Sequence, residues 1–140
     1  MARFHLRCHE CGASFDEAAT RLVCDRCAPL QEPGGPTRGV LEVVLEELPA
    51  GWDEARETRA LLPVESLPCL PVGDTPLLPA PGLRRALGMP RLWVKDDTRN
   101  PSGSTKDRAS QLVVAKAHEY GLGTIATAST GNAASALAAA

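Results

Sequence analysis

Prolines divide the chain into three segments of different character. Of the 12 prolines, 11 lie between Pro29 and Pro90, so this middle segment cannot be one continuous helix or sheet. A cysteine-rich segment, residues 8–27, precedes it, and an alanine- and valine-rich segment follows it. We predict a four-cysteine module over residues 1–36, a connecting segment with a short strand and helix over residues 37–90, and part of a larger domain over residues 91–140.

Charge and hydropathy exclude several classes of protein. The chain carries 15 Lys and Arg against 17 Asp and Glu, a net charge of −2, and so lacks the positive excess expected of a nucleic-acid binder. No apolar run approaches the roughly 18–20 residues that a membrane-spanning helix needs. The first residues also lack the apolar stretch of a signal peptide. We therefore expect a cytoplasmic protein with neither nucleic acid nor membrane as a partner.

Two short elements are predicted in the connecting segment. Residues 39–45 are apolar and partly β-branched, which is typical of a strand. Residues 53–62 favour a short helix, which Pro63 would end.

The last fifty residues carry the clearest pattern of alternating elements. Residues 91–96 and 124–128 are typical of strands, and each precedes a polar, glycine-containing turn. Ser104 and Asp107 fit a capping box at the start of a helix that ends near Gly121. A second helix is expected from Ala133 onward. This order predicts an α/β fold with a parallel βαβ unit and a right-handed crossover.

The predicted βαβ unit is too small to form a complete layered domain. Two parallel strands with one and a half helices cannot cover both faces of a sheet. We therefore expect the chain to be part of a longer protein. The alternative is a small natural domain whose last helix frays.

The cysteines form two Cys-x-x-Cys pairs that are separated by twelve residues. Each pair can present two thiolates to one ion, and four thiolates complete the tetrahedral coordination of zinc. In a cytoplasmic chain, metal binding is a better explanation than disulfides. Four cysteines leave no open position for water, so a structural role is expected. The predicted metal ligands are Cys8, Cys11, Cys24 and Cys27.

A lysine lies in the first turn of the predicted helix that follows Ser104. Lys106 there would face the positive end of the helix dipole, which disfavours the ammonium form and suits an amine that must form an imine. The alternative is an ordinary exposed lysine.

A second turn, residues 129–132, also follows a predicted strand. Its helix N-terminus would favour an anion such as a carboxylate, and the alternative is a simple N-cap with a tight turn.

Together these residues resemble a known family. Residues 100–108, with Lys106, resemble the Schiff-base lysine motif of fold-type II (tryptophan synthase β-like) pyridoxal-phosphate enzymes, and residues 128–135 resemble their substrate-carboxylate loop. Residues 73–77 are similar to the Gly-x-Thr-Pro-Leu that precedes their first strand. The Cys pairs followed by residues 39–43 resemble the N-terminal zinc ribbon of many threonine synthases.

The resemblance implies a set of roles. Lys106 would hold pyridoxal 5'-phosphate as an imine and act as acid and base, and Asn132 would hydrogen-bond the phenolic oxygen of the cofactor. The residues that would hold the substrate carboxylate are Ser129, Thr130 and Gly131. The implied reaction converts O-phospho-L-homoserine and water to L-threonine and phosphate, and the full-length form would be a homodimer.

Two alternatives stay open at this point. One is another fold-type II enzyme, such as a serine or threonine dehydratase or a cysteine- or tryptophan-synthase-like enzyme. Another is a non-catalytic fragment. One departure from the family pattern is Thr105, which stands where many relatives carry a bulky Phe or Leu, a change beside the cofactor that affects the expected substrate. The glycine-rich loop that grips the cofactor phosphate in the family does not occur in these 140 residues, so the chain alone would be too short to be active.

Overall fold

A computed structural model describes residues 3–19, 21–47 and 58–140. The chain forms two compact units, Met1–Glu65 and Ser66–Ala140. Within the described residues, no helix is both long and apolar enough to cross a membrane.

The first unit contains a small antiparallel sheet. Its strands, in the order β2-β1-β3, are β1 (Phe4–Cys8), β2 (Ser14–Phe15) and β3 (Leu41–Leu45). Cys8 pairs with Leu41 and Leu6 with Phe15, so β1 is the central strand. The strand predicted over residues 39–45 is confirmed as β3. The sequence alone counts this strand with the connecting segment, whereas the structure pairs it with the strand that carries the first cysteine.

Sulfur atoms occupy the centre of this unit. Cys8, Cys24 and Cys27 are buried, and Phe15 and Leu41 pack against them. Short 3-10 helices lie at Ala28–Leu30 and Thr58–Leu61. Most of the helix predicted over residues 53–62 lies outside the described residues, and only its last part is seen, as the second of these 3-10 turns.

The second unit combines a strand pair with three α-helices. Its elements are β4 (Leu77–Pro79), α1 (Pro81–Leu87), β5 (Trp93–Lys95), a 3-10 turn (Asp97–Arg99), α2 (Lys106–Glu119) and α3 (Asn132–Ala139). Strands β4 and β5 pair antiparallel, with Leu78 opposite Val94. The described part of the chain is thus mixed α/β, with two small sheets.

Helix α1 lies in the segment predicted to be a connector. Pro81 occupies its first turn, where a missing N–H costs nothing, and Gly88 ends it with a left-handed φ of 64°. These two signals are present in the sequence, although the many prolines around them obscure the helix.

Helices α2 and α3 pack against each other. Helix α2 ends where Gly121 adopts a φ of 66°, as the glycine there predicts. Ala136 of α3 is fully buried, with 0% of its surface exposed. Both helices predicted for the last fifty residues are therefore confirmed.

The predicted parallel βαβ unit is not seen in the described part of the chain. Residues 124–128 are exposed, and they pair with no described strand. Strand β5 pairs instead with β4, which precedes it along the chain. Apolar, β-branched composition favours an extended backbone, but a ladder also needs a partner strand, and composition does not supply one.

Candidate active site and metal centre

Four cysteine thiols converge in the first unit. The sulfur atoms of Cys8, Cys11, Cys24 and Cys27 all lie within 4.8 Å of one another. Two of these approaches join one cysteine from each pair: Cys8 Sγ to Cys27 Sγ is 3.8 Å, and Cys11 Sγ to Cys24 Sγ is 3.7 Å. The structure therefore brings together all four residues that the sequence predicts as metal ligands.

The spacing of these sulfur atoms matches a tetrahedral metal site. Zinc–sulfur bonds of about 2.3 Å give a tetrahedron with sulfur–sulfur edges of about 3.8 Å. All four cysteines are free thiols, and three of them are buried. Four soft ligands at these distances could hold a metal ion and would leave no coordination position for water.

The surroundings of Cys8 and Cys27 shift the pKa values of these two thiols in opposite directions. The backbone N–H of Cys11 lowers the pKa of Cys8 to about 7, whereas burial raises the pKa of Cys27 to about 12. Burying a thiol in apolar surroundings disfavours its charged form. A bound cation would compensate this cost, since metal binding displaces protons from all its thiol ligands.

The carboxylate of Glu10, between Cys8 and Cys11, accepts hydrogen bonds from the segment that precedes β3. Glu10 accepts hydrogen bonds from the backbone N–H of Gly39 and from the Arg38 guanidinium, the latter at 2.7 Å. These donors lower the pKa of Glu10. Gly39 has a φ of 71°, and a Cβ there would lie 3.1 Å from both Cys24 Cβ and the backbone nitrogen of Ala28. A side chain at this position would therefore strain the backbone and crowd the cluster.

Lys106 begins helix α2 and borders a cavity in the second unit. Its backbone N–H donates to Ser104 Oγ at 3.1 Å. The cavity has a volume of about 260 Å³. Besides Lys106, its walls are formed by Ala109, Ser110, Val113, Ile125, Ala126, Thr127, Ala133 and Leu137. Lys106 thus lies at the edge of a mainly apolar cavity.

The loop before Lys106 is held differently from the predicted capping box. Ser104 does accept a hydrogen bond from the first helical turn, but the Asp107 carboxylate accepts from the backbone N–H of Ser102, at 2.9 Å. Gly103 has a φ of 73°, and its N–H donates to the carbonyl of Asn100. This tight turn brings Ser102 to Asp107, so the second half of the predicted box is wrong.

The turn over residues 129–132 lies at the N-terminus of α3. Thr130, Gly131 and Asn132 are exposed, and the N–H of Gly131 donates to Ser129 Oγ at 3.2 Å. None of the four lines the cavity, but Thr127 and Ala133, which lie on either side of them in the chain, do. The structure thus places the rim of the Lys106 cavity next to this turn without bringing the turn's own side chains to the lysine.

One cluster of polar residues was missed by sequence reasoning. Arg108 donates to both oxygens of Asp97, at 2.8 and 2.9 Å, and the hydroxyl of Thr75 donates to Asp97 at 2.7 Å. The hydrogen bonds from Arg108 and Thr75 hold the pKa of Asp97 well below its usual range. Arg108 and Thr75 belong to the recognised motifs, but no local pattern shows that they meet across Asp97.

Asn100 connects the same two motifs a second time. Its side chain accepts from the N–H of Gly73 and donates to the carbonyl of Asp97, both at 3.0 Å. Asn100 is buried, and both of its polar atoms have partners. The Gly-Asp-Thr-Pro-Leu segment therefore lies directly against the loop that leads to Lys106.

The chemistry of these residues fits pyridoxal phosphate. A primary amine is the group that its aldehyde requires, and the apolar walls suit a flat aromatic ring. The helix N-terminus of α3, beside the rim, favours an anionic group. The cavity is slightly smaller than the roughly 300–1,000 Å³ usual for small-molecule pockets.

Comparison with known proteins identifies the family. Residues 69–140, just over half of the chain, match the family model described as pyridoxal-phosphate dependent enzyme. No solved structure matches the chain.

Several curated relatives are threonine synthases. That of Methanosarcina acetivorans is 37% identical over 139 residues, which are 96% of this chain and 33% of the relative. That of Synechocystis is 38% identical over 116 residues, covering 76% of this chain and 30% of the relative. That of Methanocaldococcus jannaschii is 33% identical over 147 residues, covering 95% and 34%. The chain spans about a third of the length of these relatives. With its lysine at an apolar cavity and its match to the family model, the chain belongs to the family of pyridoxal-phosphate dependent enzymes.

Proposed function

We propose that this chain forms the N-terminal part of a threonine synthase, a lyase that converts O-phospho-L-homoserine and water to L-threonine and phosphate. The observation that carries the proposal is the position of Lys106 at the edge of an apolar cavity, on the first turn of a helix. The similarity of nearly the whole chain to threonine synthases supports this choice of reaction.

Lys106 would hold the cofactor through its amine and then serve as acid and base. When bound, pyridoxal phosphate withdraws electrons from the substrate and eases the loss of a proton from carbon. The Lys106 amine would take and return protons at Cα, Cβ and Cγ of the substrate. Its neighbours in the cavity are largely aliphatic.

The turn at the start of α3 would bind the polar groups of cofactor and substrate. Asn132 would donate to the phenolic oxygen of the cofactor. The substrate carboxylate would be held by Ser129, Thr130 and Gly131. Two observations support these roles: three of the four residues are exposed, and the turn lies beside the rim of the Lys106 cavity.

The four cysteines would bind a structural zinc ion and form a zinc-ribbon-like module. Their sulfur–sulfur distances of 3.7 and 3.8 Å support tetrahedral coordination. We further propose that the second unit belongs to a fold-type II α/β core, and that the complete enzyme is a homodimer. A cytoplasmic location is in keeping with the free cysteines, since disulfides are rare there.

Trapping the cofactor on its lysine tests the proposal. The protein at its natural length is incubated with pyridoxal phosphate, reduced with borohydride and digested for mass mapping. The chain has three lysines, Lys95, Lys106 and Lys116, and only Lys106 should carry the cofactor. Lys106→Ala should abolish the adduct, whereas Lys116→Ala, on the same helix, should leave it unchanged. An adduct confined to another lysine would overturn the role of Lys106.

The reaction itself is tested by substrate comparison. Phosphate release from O-phospho-L-homoserine supports threonine synthase. Ammonia release from serine or threonine, without phosphate release, would instead make the protein a dehydratase of the same family.

A further inference from the structure

Helix α2 presents different residues to two sides of its first turns. Lys106, Ala109, Ser110 and Val113 share the helical spacing of one face and line the cavity. Arg108, two residues after Lys106, contacts residues that do not line the cavity. The position of the lysine is therefore set in part by what the helix binds on its other side.

Arg108 anchors that other side through three hydrogen bonds. Its Nε and Nη2 donate to the two oxygens of Asp97, and Nη2 also donates to Thr75 Oγ1 at 3.1 Å. Such a two-pronged pairing of guanidinium and carboxylate restricts orientation as well as distance. The Arg108 side chain is 40% exposed and Asp97 23%, so the pair is partly shielded from water.

The three residues come from three separate segments. Thr75 lies before β4, Asp97 begins the 3-10 turn after β5, and Arg108 lies in α2. Asp97 remains charged at working pH, because its partners lower its pKa. A cluster that joins three segments beside the cavity lysine can fix the helix relative to the rest of the unit.

We propose that Thr75, Asp97 and Arg108, here called the Asp97 clamp, are positioning residues that hold the first turn of α2 in the orientation that lets the Lys106 amine reach the cofactor. The inference rests on the proposed function, since it assigns a task to residues around the same site. None of the three clamp residues lines the cavity, so the clamp would act through Lys106. A misplacement of about 1 Å at a reacting group can cost about a hundredfold in rate.

The test measures how fast the Lys106 amine forms an adduct with pyridoxal phosphate. The cofactor-free protein at its natural length is mixed with pyridoxal phosphate, and the rate of adduct formation at Lys106 is followed by absorbance and by timed borohydride trapping. In the step measured, the amine nitrogen bonds to the aldehyde carbon and the aldehyde oxygen leaves as water. We expect Asp97→Asn to slow adduct formation about tenfold. This is a smaller loss than the roughly hundredfold loss expected for a displacement of about 1 Å.

Three matched variants separate positioning from general stability. Glu119→Gln breaks the Lys116–Glu119 ion pair, 2.8 Å long, at the far end of the same helix. It should lower the melting temperature without changing the capture rate more than about twofold, since it lies far from the reacting amine. Thr75→Val removes only the hydroxyl and should slow capture, whereas Thr75→Ser, which keeps it, should behave like the unmodified protein.

Three outcomes separate the possibilities. If Asp97→Asn and Thr75→Val capture the cofactor as fast as Glu119→Gln, the clamp is merely structural and the inference is overturned. If Asp97→Asn does not fold, the comparison of Thr75→Val with Thr75→Ser decides alone. If the unmodified protein forms no adduct at Lys106, the proposed function fails, and the inference fails with it.

Discussion

The two units of this chain bury different kinds of atoms. Among the described residues of the first unit, the buried cluster consists of cysteine sulfur, with Phe15 and Leu41 packed beside it. In the second unit, the buried polar residues outnumber the buried apolar ones. The polar ones are Thr75, Asn100, Ser104, Asp107, Ser110 and Gln111, and the apolar ones are Val72, Ala115, Ala117 and Ala136.

This difference shows two ways in which a small unit can be ordered without a large apolar core. Thiols that converge on one point contribute little to the stability of the fold until they bind a cation. Buried polar groups contribute only when each has a partner, and they then fix particular segments relative to one another. The first unit should therefore depend on the metal ion that we propose for its cysteines, and the second on its hydrogen bonds.

Removing the metal should have the largest effect. Chelation, or Cys24→Ser at a fully buried ligand, should unfold the first unit, because structural zinc supplies about 10–16 kcal/mol of apparent binding free energy in small domains. Amide hydrogen exchange should lose protection in β1 and β3 while α2 keeps its own. Cys69→Ser, at an exposed cysteine outside the cluster, is the control. Unchanged protection in β1 after metal loss would contradict a metal-dependent unit.

A methyl group at Gly39 should have the next largest effect. Gly39→Ala combines a left-handed φ with contacts of 3.1 Å to the Cys24 side chain and the Ala28 backbone, and should cost about 2–4 kcal/mol. Gly88→Ala has a similar φ but open space around it, so about 1 kcal/mol is expected. Chemical denaturation of each unit measures both. Equal losses would show that φ alone matters and that packing at the cysteines does not.

The Asp97 clamp should give a smaller effect that depends on pH. The folded-state pKa of Asp97 lies below its ordinary value of 3.8, so its contribution to stability is complete above about pH 5 and is lost as the pH falls through about 4 and below. Asp97→Asn should therefore destabilise the protein most at about pH 7, and the difference should shrink progressively as the pH falls below about 4. Urea denaturation midpoints across this range are the measurement. A difference that grows as the pH falls would reverse the sign and reject the assignment.

The smallest effect is expected for an exposed pair in the first unit. Arg7 and Glu42 lie opposite each other on β1 and β3, and Arg7 Nε is 2.7 Å from Glu42 Oε1. Their side chains are 50% and 42% exposed. Glu42→Gln should cost about 0.2–1 kcal/mol, and salt at about 1 M should remove most of that. A larger or salt-insensitive loss would mean that the first unit also relies on polar pairing, and would weaken the contrast between the units.

Local patterns predicted much of this molecule. The spacing of the cysteines, the β-branched run at residues 41–45 and the periodicity of α2 each depend on neighbours within a few positions, and all three are seen in the structure. Helix α1 could also have been predicted from Pro81 and Gly88.

Pairings between distant residues could not be predicted in this way. Asp107 binds the N–H of Ser102 instead of that of Ser104, because Gly103 turns the loop more tightly than the motif alone indicates. Residues 124–128 have strand composition but no described ladder partner. The meeting of Thr75, Asp97 and Arg108 depends on the arrangement of three segments, and single-sequence patterns carry no information about such arrangements.

The short side chains of α3 have a consequence for how such a protein could diversify. Within Asn132–Ala139, five of the eight residues are alanines, and Ala136 is fully buried. The separation of α3 from α2 is therefore governed by methyl groups, and α3 also supplies Ala133 and Leu137 to the cavity wall. Exchanging one small residue for a slightly larger one would widen or narrow the cavity while leaving Lys106 and its anchors untouched. Selection could adjust the size of the accepted molecule along this helix, independently of the residues that carry out the chemistry.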